Sequence, residues 1–231
     1  MAKLGMVGGT GPESTVLYYR EIASRYQKRH PEGAFPELAI DTVNMYEMLG
    51  YCRSGDFDRL EAYLMEAVRN LEAARTDFIV LTANVPHVVF DRLQKRAHVP
   101  MLSILEPTCR EIAKQGLRRV ALLGTGFTME QPYFKTVFAA HGIDAIAPDV
   151  GERKAVDGII AHELEFGVVK DESKAFVDRV IERLVDEEDA QGVVLGCTEL
   201  PLMYAHAELP VPAFDTMQLH LDGIVDRMLE D

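Results

Sequence analysis

The chain reads as an α/β protein: two pseudosymmetric α/β lobes with mostly parallel sheets. Short aliphatic runs alternate with longer segments of helical periodicity, the pattern of strand–helix–strand units. The aliphatic runs are nearly continuous rather than alternating with polar residues, as strands covered on both faces require. Several stretches of the first half also recur in the second at nearly constant spacing.

The first strand is Leu4–Val7, followed by a glycine-rich turn and a helical pattern over Glu13–Lys28. Leu38–Val43 is the second strand and Phe57–Ala74 the next amphipathic helix. Phe78–Leu81 and Met101–Ile104 follow as strands. Beyond them come a strand at Val120–Leu123, a helix over Gln131–Ala140 and a strand at Ile143–Ala147. In Lys174–Glu188 the residues Phe176, Val177, Val180, Ile181, Leu184 and Val185 fall on one helical face. Val193–Leu195 and Val211–Phe214 complete the strands. Gly116 and Gly142 sit just past helical runs, where a left-handed cap is wanted.

The repeat is specific enough to align. Leu4–Thr10 resembles Val120–Thr125, with Gly8 recurring as Gly124, 116 residues on. Phe78–Thr82 resembles Val193–Cys197 at a spacing of 115, and Val99-Pro100 recurs as Val211-Pro212 at 112. Thr82 and Cys197 thereby become equivalent positions. Parallel sheets carry ligands at the carboxyl ends of their strands, so two facing halves would line one cleft and place the active site in it.

With 231 residues, the chain suits one large domain or two small ones, and no Pro/Gly/Ser-rich linker divides it. The balance of 24 basic against 37 acidic residues gives a net charge of −13, which argues against nucleic acid and anionic membrane as partners. No apolar run has the length of a bilayer span, and the first residues hold no apolar core of leader length. The three cysteines (Cys52, Cys109, Cys197) have no short spacing. They suit a reduced cytoplasmic protein rather than a disulfide framework. The histidines show no ligand spacing, so no metal site is expected.

Five strand-end segments could carry chemistry. Gly8-Gly9-Thr10-Gly11-Pro12-Glu13-Ser14-Thr15 presents amides at a helix start, suited to a carboxylate or serving only as a turn. It lacks Rossmann and P-loop spacing. In Thr82-Ala83-Asn84-Val85-Pro86-His87, Thr82 or Asn84 could cap the next helix. In Gly196-Cys197-Thr198-Glu199 a thiol precedes a helix, whose N-terminus would lower its pKa. A small buried hydrophobe is the plainer reading of that cysteine. Cys109 falls in a helical pattern and Cys52 in a tyrosine-flanked stretch, so both read as core or surface. Gly124-Thr125-Gly126-Phe127-Thr128 offers two hydroxyls with backbone amides that could hold a carboxylate. Glu152-Arg153-Lys154 is either a solvated helix start or a binder of a side-chain carboxylate, and Arg53 is the comparable cation of the first half.

Met6–Thr15 with Tyr18-Tyr19, Leu122–Thr125 with Thr128, Glu152-Arg153-Lys154 and Gly196-Cys197-Thr198-Glu199 together resemble the aspartate/glutamate racemase family of cofactor-independent amino-acid racemases. The resemblance spans Leu4 to Asp215. It implies two lobes, residues 1–98 with 208–231 and residues 99–207, the last strand and helix returning to the first. It implies an isomerase that needs no pyridoxal phosphate, a homodimer, and L-aspartate or L-glutamate as substrate. Inverting a stereocentre through a planar carbanion needs an acid and a base on opposite faces. Cys197 matches the cysteine that acts on the L-enantiomer, and Glu199 a polar residue that assists it. Ala83, Asn84 and Val85 match the loop that holds the α-carboxylate. Thr125 and Thr128 match the facing hydroxyl loop, with Gly9, Thr10 and Thr198 beside these loops. Lys154 matches the reader of a side-chain carboxylate, and Arg53 is counted with it.

One departure is decisive. Thr82 stands where the family carries its first-lobe cysteine, and a hydroxyl is a far weaker acid than a thiol. The expectation is a racemase that processes the L-form and turns over the D-form poorly. A single thiol also fits the arylmalonate-type decarboxylases that resemble this family, or a non-catalytic amino-acid binder.

Overall fold

A computed structural model describes residues 2–30, 35–204 and 209–230. The chain divides into two compact units, Met1–Ile104 with His220–Asp231, and Leu105–Leu219.

The first unit carries β1 (Leu4–Gly8), α1 (Pro12–Arg29), β2 (Leu38–Thr42), α2 (Met45–Ser54) and α3 (Phe57–Ala73). After these come β3 (Phe78–Leu81), a 3-10 turn at Val85–Val89, α4 (Phe90–Arg96) and β4 (Met101–Leu102). The sheet order is β2-β1-β3-β4 and every pairing is parallel. All residues of β1 and β3 are buried, as their unbroken apolar sequences foretell, while the edge strand β2 is only partly covered. Helix α3 buries Leu60, Leu64, Met65, Ala67, Val68 and Leu71, one face of the 3.6-residue period.

The second unit carries α5 (Leu105–Lys114), β5 (Arg119–Gly124), α6 (Gly126–Glu130), α7 (Tyr133–Ala140) and β6 (Asp144–Ile146). It continues with α8 (Val150–His162), a 3-10 turn at Leu164–Phe166, α9 (Asp171–Glu188), β7 (Val193–Gly196), a 3-10 turn at Leu200–Tyr204 and β8 (Ala213–Asp215). Its sheet order, β6-β5-β7-β8, is again all parallel and repeats the first strand for strand. Helix α10 (Thr216–Leu229) begins in this unit, and from His220 onward belongs to the first.

The lobe boundaries differ from the expected 98/99 and 207/208. β4 pairs with β3, Ile79 N–H donating to Pro100 O at 3.0 Å. β8 pairs with β7, Val193 N–H donating to Pro212 O at 2.9 Å. The last strand therefore completes its own sheet, and only the later turns of α10 return to the first unit. The chain crosses between units at Ile104/Leu105 and Leu219/His220.

Gly116 and Gly142 adopt φ of +73° and +71°, the left-handed caps the sequence asks for. Among the described residues no helix is long and apolar enough to cross a membrane.

Candidate active site

In each unit the strand after the second crossover ends in a short irregular segment and then a 3-10 turn. Thr82 is the first residue past β3 and Cys197 the first past β7; each stands three residues before its turn. The ladders differ by one step. β7 stays paired through Gly124↔Gly196, whereas β3 ends at Val7↔Leu81.

Cys197 is 8% exposed and packs in the core with Leu195, Leu200 and Met203. Its Sγ donates to Glu199 Oε2 at 2.8 Å, and Thr198 Oγ1 donates to Glu199 Oε1 at 2.6 Å. Burial pushes the thiol pKa well above the ordinary thiol value, and the Glu199 carboxylate pushes it further. The N–H groups of Glu199 and Leu200 act the other way, but more weakly. This corrects the expectation of a lowered thiol pKa. The next element is a five-residue 3-10 turn rather than an α-helix, and a carboxylate is hydrogen-bonded to the sulfur. The resting group is a thiol with a base in contact.

The Thr125 loop adjoins this one. Thr125 caps α6, its Oγ1 accepting Thr128 N–H at 3.3 Å and donating to Thr128 Oγ1 at 3.1 Å. Thr128 is fully buried; a Cβ on Gly124 or on Gly196 would lie within 3.3 Å of its methyl group. Its hydroxyl also accepts from Tyr133 OH at 3.3 Å. Gly126 N–H is taken by Asp157 Oδ1 at 2.6 Å. Two of the amides that the sequence offered to a carboxylate are thus bound by the protein's own side chains. Asp157 was not visible as a site residue, since one aspartate on a helix carries no spacing signal. Nor was Glu165, an exposed residue whose carboxyl pKa is raised by partial desolvation and by the charges of Glu199 and Asp157.

In the first unit Thr82 is fully buried. Its hydroxyl donates to Val7 O at 3.1 Å and stands 3.4 Å from Thr10 Oγ1 and 3.3 Å from Thr15 Oγ1. Ser14 Oγ donates to Thr82 O at 2.6 Å. Gly9 turns at φ +75°, and a Cβ there would meet Val43 O at 2.3 Å, so the bend needs glycine. Gly9 N–H is bound to Thr15 Oγ1 at 2.9 Å. Ala83 O accepts from His87 Nδ1 at 2.8 Å. Asn84 is buried, and Val85 opens the 3-10 turn. Neither Thr82 nor Asn84 caps that turn, contrary to the expectation: the Thr82 hydroxyl is bound to Val7 O, and the Asn84 side chain makes no capping bond.

Arg53 lies exposed in the last turn of α2, and Lys154 exposed on α8. The N-terminus of α8 is firmly built. Asp149 and Glu152 form a capping box, and Arg183 of α9 grips Glu152 at 2.8 and 2.5 Å. Cys52 and Cys109 are core residues, their thiol pKa values pushed to about 11 and about 12 by burial.

Comparisons with known proteins agree with this architecture. The model of the Asp/Glu/Hydantoin racemase family matches residues 7–223. The broad specificity amino-acid racemase RacX of Bacillus subtilis (strain 168) is 25% identical over 216 residues, covering 92% of each chain. An aspartate racemase homologue from Pyrococcus horikoshii OT3 superposes with a TM-score of 0.88, 34% identity and full coverage of both chains. A protein of Yersinia pestis solved as a candidate Asp/Glu racemase superposes at 0.93 with 32% identity, again over both whole chains. The chain belongs to the Asp/Glu/Hydantoin racemase family.

Proposed function

We propose that the protein is an amino-acid racemase acting on aspartate or glutamate without pyridoxal phosphate, with the L-form preferred. Membership of the family and likeness to RacX, named a broad specificity amino-acid racemase, support the reaction class. The observation that carries the mechanism is the Cys197–Glu199 pair. The thiol gives its proton to Glu199 Oε2, and the thiolate left behind takes the α-proton of the L-amino acid. The electron pair of the broken C–H bond stays on the planar carbanion and spreads into the α-carboxylate. The N–H groups of Glu199 and Leu200 favour the thiolate, and the substrate ammonium offsets its charge.

The Ala83–Val85 loop holds the α-carboxylate in this reading. Thr10, Gly9, Thr125, Thr128 and Thr198 shape the surrounding loops, and the exposed Arg53 and Lys154 read a side-chain carboxylate. Thr82 serves the second face of Cα poorly, because its proton is engaged with Val7 O and its hydroxyl neighbours are themselves hydroxyls. The resemblance also carries a homodimer into the proposal, and the cysteine pattern a cytoplasmic location.

The test is deuterium exchange from solvent at Cα, run separately on L- and D-aspartate and L- and D-glutamate. Fast exchange from an L-form and slow exchange from its D-form is the expected result. Equal, fast exchange from the D-form would overturn the one-sided mechanism, and no exchange from any amino acid would sink the racemase reading. One observation favours a second reading: a thiol that rests protonated can act as donor to a carbanion formed by loss of carbon dioxide. Carbon dioxide release from an aryl- or alkylmalonate, without α-exchange of amino acids, would select it.

A further inference from the structure

We propose that His87 is a positioning residue, one that sets the backbone of the Thr82–Val85 loop; the role rests on reading that loop as the carboxylate cradle. His87 is buried in the first unit, in the 3-10 turn that follows the loop. Ile104 N–H donates to His87 Nε2 at 3.1 Å. An amide can only donate, so Nε2 carries the lone pair and Nδ1 the proton. Nδ1–H therefore donates to Ala83 O at 2.8 Å. Both ring nitrogens are occupied, and the ring is clamped between two backbone groups, one in the loop and one just beyond β4.

The surroundings hold the ring still. Phe90 stacks on it at 5.1 Å and 8°, and His220 meets it edge-on at 6.5 Å. His220 is itself bound on both sides, to Tyr18 OH at 2.9 Å and Leu102 O at 3.2 Å. Leu102 and Ile104, the residues on either side of Ser103, are thus each held by a buried histidine.

The consequence for the loop follows from peptide planarity. A trans peptide points its N–H opposite to its C=O. Fixing Ala83 C=O therefore fixes the direction of the Asn84 N–H on the other side of the same peptide. A hydrogen bond from a rigid, buried donor sets that direction more tightly than the short loop can by itself.

Two substitutions separate the two ends of the ring. His87→Asn keeps an N–H near the Nδ1 position and gives up the Nε2 contact. His87→Gln keeps an acceptor near the Nε2 position and gives up the donor to Ala83 O. In the L-substrate exchange assay, His87→Gln should raise KM about fivefold with little change in kcat, the loss of one positioning hydrogen bond. His87→Asn should stay within about twofold of the parent KM. Equal KM shifts in both variants, or an unchanged KM in His87→Gln, would overturn the proposal. A readout on the unaltered protein guards against variants that do not fold. The proton resonance of His87 Nδ1–H should shift when L-aspartate is added, and its failure to move at saturation would overturn the proposal as well. Absence of exchange in the parent protein would instead count against the racemase reading. In that case L-aspartate affinities of the two variants, from ligand-induced Tm shifts, decide the role of His87 in place of KM: weaker binding by His87→Gln alone is expected, and equal affinities overturn it.

Discussion

Cys197 Sγ donates to Glu199 Oε2 across 2.8 Å, while Thr198 holds the other oxygen of the same carboxylate at 2.6 Å. The carboxylate is thereby held against the thiol by both of its oxygens. The arrangement opposes the thiolate at rest, and in the proposed mechanism the same carboxylate is the acceptor of the thiol proton. This gives the pair a distinct signature in mutants.

Replacing Cys197 by Ala should abolish α-deuterium exchange from L-substrate, a loss of at least about a thousandfold. The cavity left by one sulfur in the core should cost about 1 kcal/mol, lowering Tm by roughly 2–4 °C. Retained exchange in a folded variant would exclude the thiol as the base.

Glu199→Gln removes the charge that raises the thiol pKa together with the carboxylate that accepts its proton. The sign is therefore opposite for two readouts. Alkylation of Cys197 by iodoacetamide at pH 8 should speed up several-fold, by roughly three- to tenfold, as the thiolate becomes less costly. Exchange from L-substrate should fall by about a hundredfold.

Thr82→Cys places a thiol at the topological counterpart of Cys197. Exchange from D-substrate should rise by about tenfold or more. Isotope incorporation from pure D-aspartate, compared with the parent, measures it. No gain in a stable, folded variant would show that this side chain does not reach the reacting carbon.

The buried histidines make stability fall with acid. Burial lowers the His87 pKa to about 4 and that of His220 to about 3, from an ordinary value near 6.5. Their stabilising contribution is complete above about pH 6.5, where folded and unfolded states are both neutral. As pH drops below that, the unfolded chain binds protons that the folded chain refuses, and stability is lost down to about pH 4 at His87 and about pH 3 at His220. Across its window His87 should contribute about 3 kcal/mol and His220 about 5 kcal/mol. Urea midpoints measured between pH 7.5 and 4.5 should decline steeply, and the decline should flatten when His220 is replaced by Asn.

The site was only partly legible along the chain. Unbroken apolar strands, helical periodicity and the internal repeat foretold the parallel sheets, and the observed strand orders are the same in both units. The lobe boundaries were misplaced, because the pairing of β4 with β3 and of β8 with β7 is a backbone hydrogen-bond choice. A two- or three-residue strand leaves almost no side-chain pattern to read.

Residue type and spacing alone singled out Cys197 among the three cysteines, and Thr82 as its counterpart. Packing decided the protonation of that thiol, since burial and the Glu199 carboxylate outweigh the backbone N–H groups. Tertiary contacts likewise placed Asp157 on Gly126 N–H and His87 between Ala83 and Ile104. The His87–Ile104 and Gly126–Asp157 links join residues 17 and 31 positions apart. Periodicity reports which face of an element is buried, whereas hydrogen bonding and desolvation depend on what the fold brings within about 3 Å.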